Sequence, residues 1–400
     1  MSAAPGPVDL SRGRSFASGF PHDYFTWLRR EAPLFWHEPT EHTPGGIGFW
    51  VLSRHADAMA IMTDPETFSS EAAGTQLDDS GAGPGIMLNM MDDPRHLRTR
   101  SLINRGFTPR MIGRLEEDLR RRTLELIDAV PTGEIFDFVL AVARELPLQA
   151  ICSVLGVPQE DRTELADLVD QAVEAETGEV LGLEQIRQIG RYAEPLIEQK
   201  RADPVDDILS IIVTATDDEG HQLNGRELKG FFNLLFPAGA ETTNRALAGG
   251  IVALLEHPEE MTKLRANMDL LPSAIEEILR WTSPSVYKRR TPTRDVEMHG
   301  QQIKAGSRVT YWEMSANRDE LVFEDPFRFD ITRDPNPHVA FGFGAHYCLG
   351  ANLARLELKV VLTELLNRFD HFEVAGEPSW TPNNRLVGLT HLPLIATTAD

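Results

Sequence analysis

Cysteine is nearly absent: Cys152 and Cys348 are the only two in 400 residues. Two thiols cannot staple a chain of this size, so a disulfide framework is excluded and a reducing cytoplasm is the expected location. Apolar runs as long as the ~18 residues of a membrane span are missing, so no membrane anchor is expected. Met1 to Arg14 is polar and holds two prolines, which does not read as a signal peptide. Basic residues are outnumbered, 39 Lys and Arg against 61 Asp and Glu, and the net charge of −22 argues against nucleic acid as a partner. No Pro/Gly/Ser-rich linker, low-complexity tract or repeat divides the chain. One domain over residues 1–400 is therefore expected, with a short loose N-terminus over about residues 1–15.

A hydrophobic content of 42% is ample for a large core. Helical periodicity fills nearly everything from Thr108 to Leu279, with breaks at Pro131, Gly156-Val-Pro158, Asp203-Pro204 and Asp217–Gly220. Strand-like stretches occur at Leu34–His37 and Gly48–Ser53, in a hairpin from Val296 through Gly300 to Tyr311, and as a pair near Val387–Ala396. The expected fold class is mainly α with small peripheral β-sheets. Charge is uneven along it: nine arginines lie between Pro94 and Arg122, against only Glu116, Glu117 and Asp118. Such a cluster is either a solvated helix face or a landing patch for a small acidic redox protein.

The most informative run is Phe341-Gly-Phe-Gly-Ala-His-Tyr-Cys-Leu-Gly-Ala351. Leu349, Leu353, Leu356 and Val360 recur at helical spacing, so a helix is expected to start at or just after Cys348. The unpaired N–H groups of its first turn would point at the sulfur and lower the thiol pKa. Gly342, Gly344 and Gly350 allow tight folding and close approach of a flat ligand. A thiolate with an open face suits the single protein ligand of a heme iron. Zinc is a poor fit to His346-x-Cys348, because no Cys-x-x-Cys completes a ligand set.

A second run, Pro237-Ala-Gly-Ala-Glu-Thr-Thr-Asn244, sits in the middle of an apolar helix expected from about Gly225 to Glu256, after an Asn224…Glu227 capping pair. Pro237 and Gly239 weaken that helix and would open a groove whose carbonyls hold water. Glu241 and Thr242 are costly there unless something uses them. The alternative is structural: Thr242 bonding back to the i−4 carbonyl and Glu241 in an ion pair.

These runs resemble the cytochrome P450 superfamily, soluble bacterial type, and the resemblance extends from about Asp23 to Leu394. The loop pattern Phe-x-x-Gly-x-x-x-Cys-x-Gly is matched by Phe341, Gly344, Cys348 and Gly350. Ala238, Gly239, Glu241, Thr242 and Thr243 match the family's oxygen-activating helix, with Pro237 replacing the usual aliphatic residue. The resemblance implies the P450 fold, heme b bound through Cys348 as iron ligand, and heme contacts from Phe341, Gly342 and Ala238. It implies proton delivery to bound O2 by Thr242 and Glu241. His96 and Arg100, then Arg290 and His346, would hold the heme propionates. Glu277, Arg280 and Arg328 would form a buried triad that holds the cysteine loop. The arginine-rich helix would face the side from which a ferredoxin and its reductase deliver electrons.

For the substrate, family position suggests a pocket lined by Gln76, Leu77, Met87, Leu88, Leu235, Ala238, Val286, Tyr287 and Val387. Mostly apolar walls imply an apolar substrate. Scaffold stretches such as Met87-Leu-Asn-Met90 and Pro335-Asn-Pro-His-Val-Ala340 are similar to those of actinobacterial sterol and methyl-branched-lipid hydroxylases. The expected activity is insertion of one oxygen atom from O2 into a C–H bond of a sterol, branched lipid or terpenoid-like molecule. Tailoring of a terpenoid or polyketide, a peroxide-driven enzyme and a non-catalytic heme sensor stay open as alternatives.

Overall fold

The computed structural model describes residues 5–79, 83–174 and 182–398. Its centre is the helix Gly225–Glu256, buried on nearly every side. Asn224 caps it by accepting the N–H groups of Arg226 and Glu227, and Glu227 returns a carboxylate to the Asn224 N–H. Around this helix pack Glu145–Leu155, Leu271–Thr282 and Ala351–Arg368, and Glu116–Asp128 lies against the last. Leu119, Ile151, Leu247, Ile278 and Leu358 belong to the one apolar cluster these helices share.

The largest sheet has five strands in the order Leu34–His37, Phe49–Leu52, Val309–Trp312, Tyr287–Pro292 and Phe68–Ser69. Phe49–Leu52 and Val309–Trp312 run parallel; the other pairs are antiparallel. Along Tyr287–Pro292 side chains alternate, so Lys288 and Arg290 share one face and Arg289 takes the other. Arg289 and Arg308 both bind the carboxylate of Asp79, at 2.7 and 3.3 Å, which ties the segment before residue 80 to the sheet.

Several expectations are corrected. Residues 8–16 are not loose: Leu10 and Phe16 are fully buried in a cluster with Trp312, and Asn384 donates to the Leu10 carbonyl. The helical stretch after Thr108 is interrupted by a strand, Ile135–Asp137, which pairs with Pro393–Ile395. The two C-terminal strands do not pair with each other. Leu389–His391 pairs with Ser379–Trp380, and Pro393–Thr397 lies between Ile135–Asp137 and His371–Val374. Turn residues mark where a strand ends but carry nothing about its distant partner.

The buried triad is also reassigned. Glu277 and Arg280 are fully buried and joined by two bonds of 2.7 Å. The third member is Arg333, whose Nε lies 3.2 Å from Glu277, not Arg328. Arg328 is largely exposed and 3.8 Å from Asp330; it contributes only its carbonyl, to Arg280 at 3.2 Å and Arg333 at 2.9 Å. The spacing from Glu277 cannot tell apart two arginines five residues apart on an irregular segment. Breaking a buried pair strands a charge, so Arg333→Met is expected to cost about 3–5 kcal/mol, and Arg328→Met about 0.5 kcal/mol or less. Equilibrium unfolding of the two variants decides it, and equal losses would reverse the reassignment.

Candidate active site

The cysteine loop is shaped by two residues with left-handed backbone, Gly342 at φ 68° and Gly344 at φ 72°. A Cβ on Gly344 would sit 2.9 Å from the Met62 carbonyl oxygen, so only glycine fits that approach. The Cys348 N–H closes the loop on the Phe341 carbonyl at 2.9 Å. Arg355 stacks on the Phe341 ring at 4.6 Å while binding Glu276 through two bonds of 2.6 and 2.8 Å. Arg100 donates to the Tyr347 carbonyl, and Arg355 to the Tyr347 hydroxyl at 3.2 Å.

The following helix begins just after Cys348, at Ala351, so its first turn does not contain the cysteine. The expected lowering of the thiol pKa is also reversed. Enclosure by protein raises it, and the Gly350 N–H and the charges of Arg100 and Lys288 only partly oppose that. Cys348 is nevertheless exposed, and it lines a cavity of about 290 Å³. Ala238, Gly239, Thr242 and Thr243 of the central helix form another part of the cavity wall, and Phe341 and Gly342 belong to the lining too.

Donors from three separate elements converge on this cavity. Arg100 comes from the helix Arg95–Asn104, Arg290 from the sheet, and His346 from the cysteine loop, all in the lining. His96, one turn before Arg100, stacks on His346 with ring centres 4.1 Å apart. Burial, then Arg290, His96 and Arg100, push the His346 pKa down to about 2; burial and then Arg100 also lower that of His96. Among the described residues, no carboxylate pairs with Arg100 or Arg290, and the buried Nε2 of His96 has no hydrogen-bond partner. Two guanidinium groups without acids, around a cavity with a thiol in its wall, fit a flat group bearing two carboxylates and a thiophilic metal.

On the central helix, the Thr242 hydroxyl donates to the Ala238 carbonyl at 2.8 Å on the exposed side of the cavity, and Glu241 pairs with Arg245 at 2.7 Å, a pair that is largely buried. The two structural alternatives for these residues are thus what the side chains do here, while Thr242 still lines the cavity. The helix continues through Pro237 and Gly239, with Gly239 packed against Ile151.

Of the expected pocket residues, Leu88, Leu235 and Ala238 line the cavity. Gln76 and Met87 lie outside the lining, and Leu77, Val286, Tyr287 and Val387 pack into the Trp312 cluster instead. Sequence reasoning missed Thr75, Asn89, Lys288, Glu313 and Glu357 in the lining. Lys288 was within reach, since strand alternation places it on the face of Arg290. The arginine patch is smaller than its sequence count. Arg95, Arg114, Arg120, Arg121 and Arg122 are paired with acids, whereas Arg98, Arg105 and Arg110 are exposed with no ion pair among the described residues.

Comparison with known proteins agrees with this geometry. The family model described as Cytochrome P450 matches residues 182–397. The chain is 49% identical to "Putative cytochrome P450 126" of Mycobacterium tuberculosis over 98% of both chains. It is 39% identical to "Methyl-branched lipid omega-hydroxylase" of Mycobacterium bovis over 92% of this chain and 90% of the relative. The solved structure of Mycobacterium marinum cytochrome P450 CYP268A2 in complex with pseudoionone superposes with a TM-score of 0.89 at 33% identity, covering 99% of this chain and all of that one. The chain belongs to the cytochrome P450 family. It is accordingly a monooxygenase, and heme is the cofactor the family implies. No helix among the described residues is long and apolar enough to cross a membrane.

The ion pair under the loop makes a pH prediction. Burial alone would raise the Glu276 carboxyl, but hydrogen bonds from Arg355 and His338 outweigh it and hold the pKa at about 2, against an ordinary 4.5. A depressed folded-state pKa contributes stability that is present above pH 4.5 and lost as pH falls toward 2. Glu276→Gln is expected to unfold earlier than the parent at pH 7, with the two curves converging as pH falls. Parallel melting temperatures across that range would show that Glu276 does not anchor the loop.

Proposed function

We propose that the chain inserts one oxygen atom of O2 into a C–H bond of an apolar lipid, sterol or terpenoid-like substrate, using electrons from a ferredoxin. The observation that carries this is the shared cavity, with the Cys348 thiol and the Ala238–Thr243 segment both in its lining. In this reading Cys348 holds the iron, His96, Arg100, Arg290 and His346 hold the propionates, and Phe341, Gly342 and Ala238 lie against the ring. Heme bound there supplies the reduction of O2 and the oxidation of the C–H bond.

The chain's own groups do the rest. Burial disfavours the thiolate, so the Gly350 N–H, Arg100 and Lys288 are the groups that stabilise the charged sulfur the metal requires. Leu88, Phe107, Ile151, Phe231 and Leu235 hold an apolar substrate and exclude water. The Thr242 hydroxyl, with its proton directed at the Ala238 carbonyl, presents oxygen lone pairs to the cavity and positions a proton donor there. Glu241 delivers protons to that hydroxyl from bulk when its bond to Arg245 opens. The exposed Arg98, Arg105 and Arg110 supply the charge that a small acidic protein would meet.

A reading as a lipid hydroxylase draws on the relative named for methyl-branched lipids. Cys348→Ala is expected to abolish the thiolate-type reduced-CO band; a variant with a normal band would remove Cys348 as ligand. Thr242→Ala is expected to keep that band and lower product per O2 consumed by about tenfold or more, the scale of a lost proton-transfer group. Unchanged coupling would take Thr242 out of the proton path. Turnover with peroxide alone, and none with ferredoxin and NAD(P)H, would replace the reading by a peroxide-driven one.

A further inference from the structure

One corner of the cavity is polar in a way that the heme clamps do not use. Lys288 and Arg290 sit two apart on the same face of their strand, and both line the cavity. Arg290, Arg100, His96 and His346 already supply four donors for two propionates. Lys288 is an additional cation, and an apolar substrate has no need of one.

Its side chain is about a quarter exposed, at 27%, whereas its acidic partner Glu313 is 3% exposed. The ammonium contacts the Ser285 hydroxyl closely, but its bonds to Glu313 and the Tyr287 carbonyl are long, at 3.3 and 3.4 Å. Bonds of that length are weak and can be exchanged for a better acceptor. Thr75 is joined to the same strand by its backbone, its carbonyl accepting the N–H of Arg289 at 2.9 Å, one residue after Lys288. Thr75 is 2% exposed, lines the cavity, and its hydroxyl is buried with no hydrogen-bond partner. A buried hydroxyl left unpaired is costly, so a ligand atom that pairs with it gains more than at a solvated site.

We propose that Lys288 and Thr75 bind an acceptor oxygen, carboxylate or carbonyl, at one end of an otherwise apolar substrate. This rests on the monooxygenase reading and names the substrate class within it. Two such donors in the wall of the same cavity would hold that end of the molecule and leave its hydrocarbon end to reach the reacting centre. Lys288 and Thr75 act here as specificity residues, and neither transfers a proton or bonds to the reacting atoms.

The test is optical titration of the ferric holoenzyme with dodecanoic acid, methyl dodecanoate and dodecane, for the parent, Lys288→Met, Lys288→Arg and Thr75→Val. The parent is expected to bind the acid or the ester about tenfold or more tightly than the alkane, the value of one charge-assisted hydrogen bond. Lys288→Met and Thr75→Val should each reduce that preference, and Lys288→Arg should retain it. Acid above ester identifies a carboxylate; acid and ester alike identify a carbonyl. Equal binding of all three by the parent, no spectral response to any, or a preference that survives both Lys288→Met and Thr75→Val overturns the proposal. So does loss of heme from Lys288→Met, which would make Lys288 a propionate clamp. If Lys288→Met does not fold, Thr75→Val alone decides. A parent without a thiolate-type reduced-CO band would instead refute the monooxygenase reading, independently of the titration.

Discussion

A single buried carboxylate, Glu277, organises the half of the molecule that carries the cysteine. It accepts from Arg280, from Arg333, from Asn336 at 3.1 Å and from the Asp330 N–H at 2.9 Å. Arg280 passes the connection on to the carbonyls of Asn317 and Pro326, each at 2.9 Å. Asn317 in turn accepts the Val339 N–H at 2.8 Å, two residues before Phe341. An unscreened charge in the core is tolerable only with this many donors, so the irregular segment from Asp330 to Val339 is held in place by an electrostatic demand and not by secondary structure.

The site shows the opposite imbalance. Around the cavity the cationic groups Arg100 and Arg290 have carbonyl partners but no acid partners among the described residues. The thiol of Cys348 meanwhile sits above its ordinary pKa because of enclosure. Positive charge without counter-charge and a thiol kept neutral are each unfavourable alone. A ligand that brings carboxylates to the rim and a metal to the sulfur would relieve both, and heme, the cofactor the family implies, carries each of these groups.

Much of this was legible in the sequence because local chemistry is strict. The capping pair Asn224 and Glu227, the strand Leu34–His37 and the glycines before Cys348 follow from backbone rules that operate within a few residues. What was not legible depends on distance along the chain. Arg333 displaced Arg328 because Glu277 selects whichever guanidinium the irregular segment presents. Ile135–Asp137 became a strand because Pro393–Ile395 offered it an edge. Leu77 and Tyr287 left the expected pocket because Trp312 and Val387 gave them a better apolar contact. The helix begins after Cys348, at Ala351, and of the first-turn amides expected to act on the sulfur only that of Gly350 does so.

Tyr347, the residue before Cys348, is gripped at two points. Arg100 holds its carbonyl and Arg355 its hydroxyl, and the two arginines come from helices on different parts of the chain. The ordering entropy of the peptide at Cys348 is therefore spent during folding, so capture of the cofactor the family implies would begin from a peptide that has little freedom left to lose. In kinetic terms such a loop favours docking of the cofactor into a finished socket over joint folding of loop and cofactor.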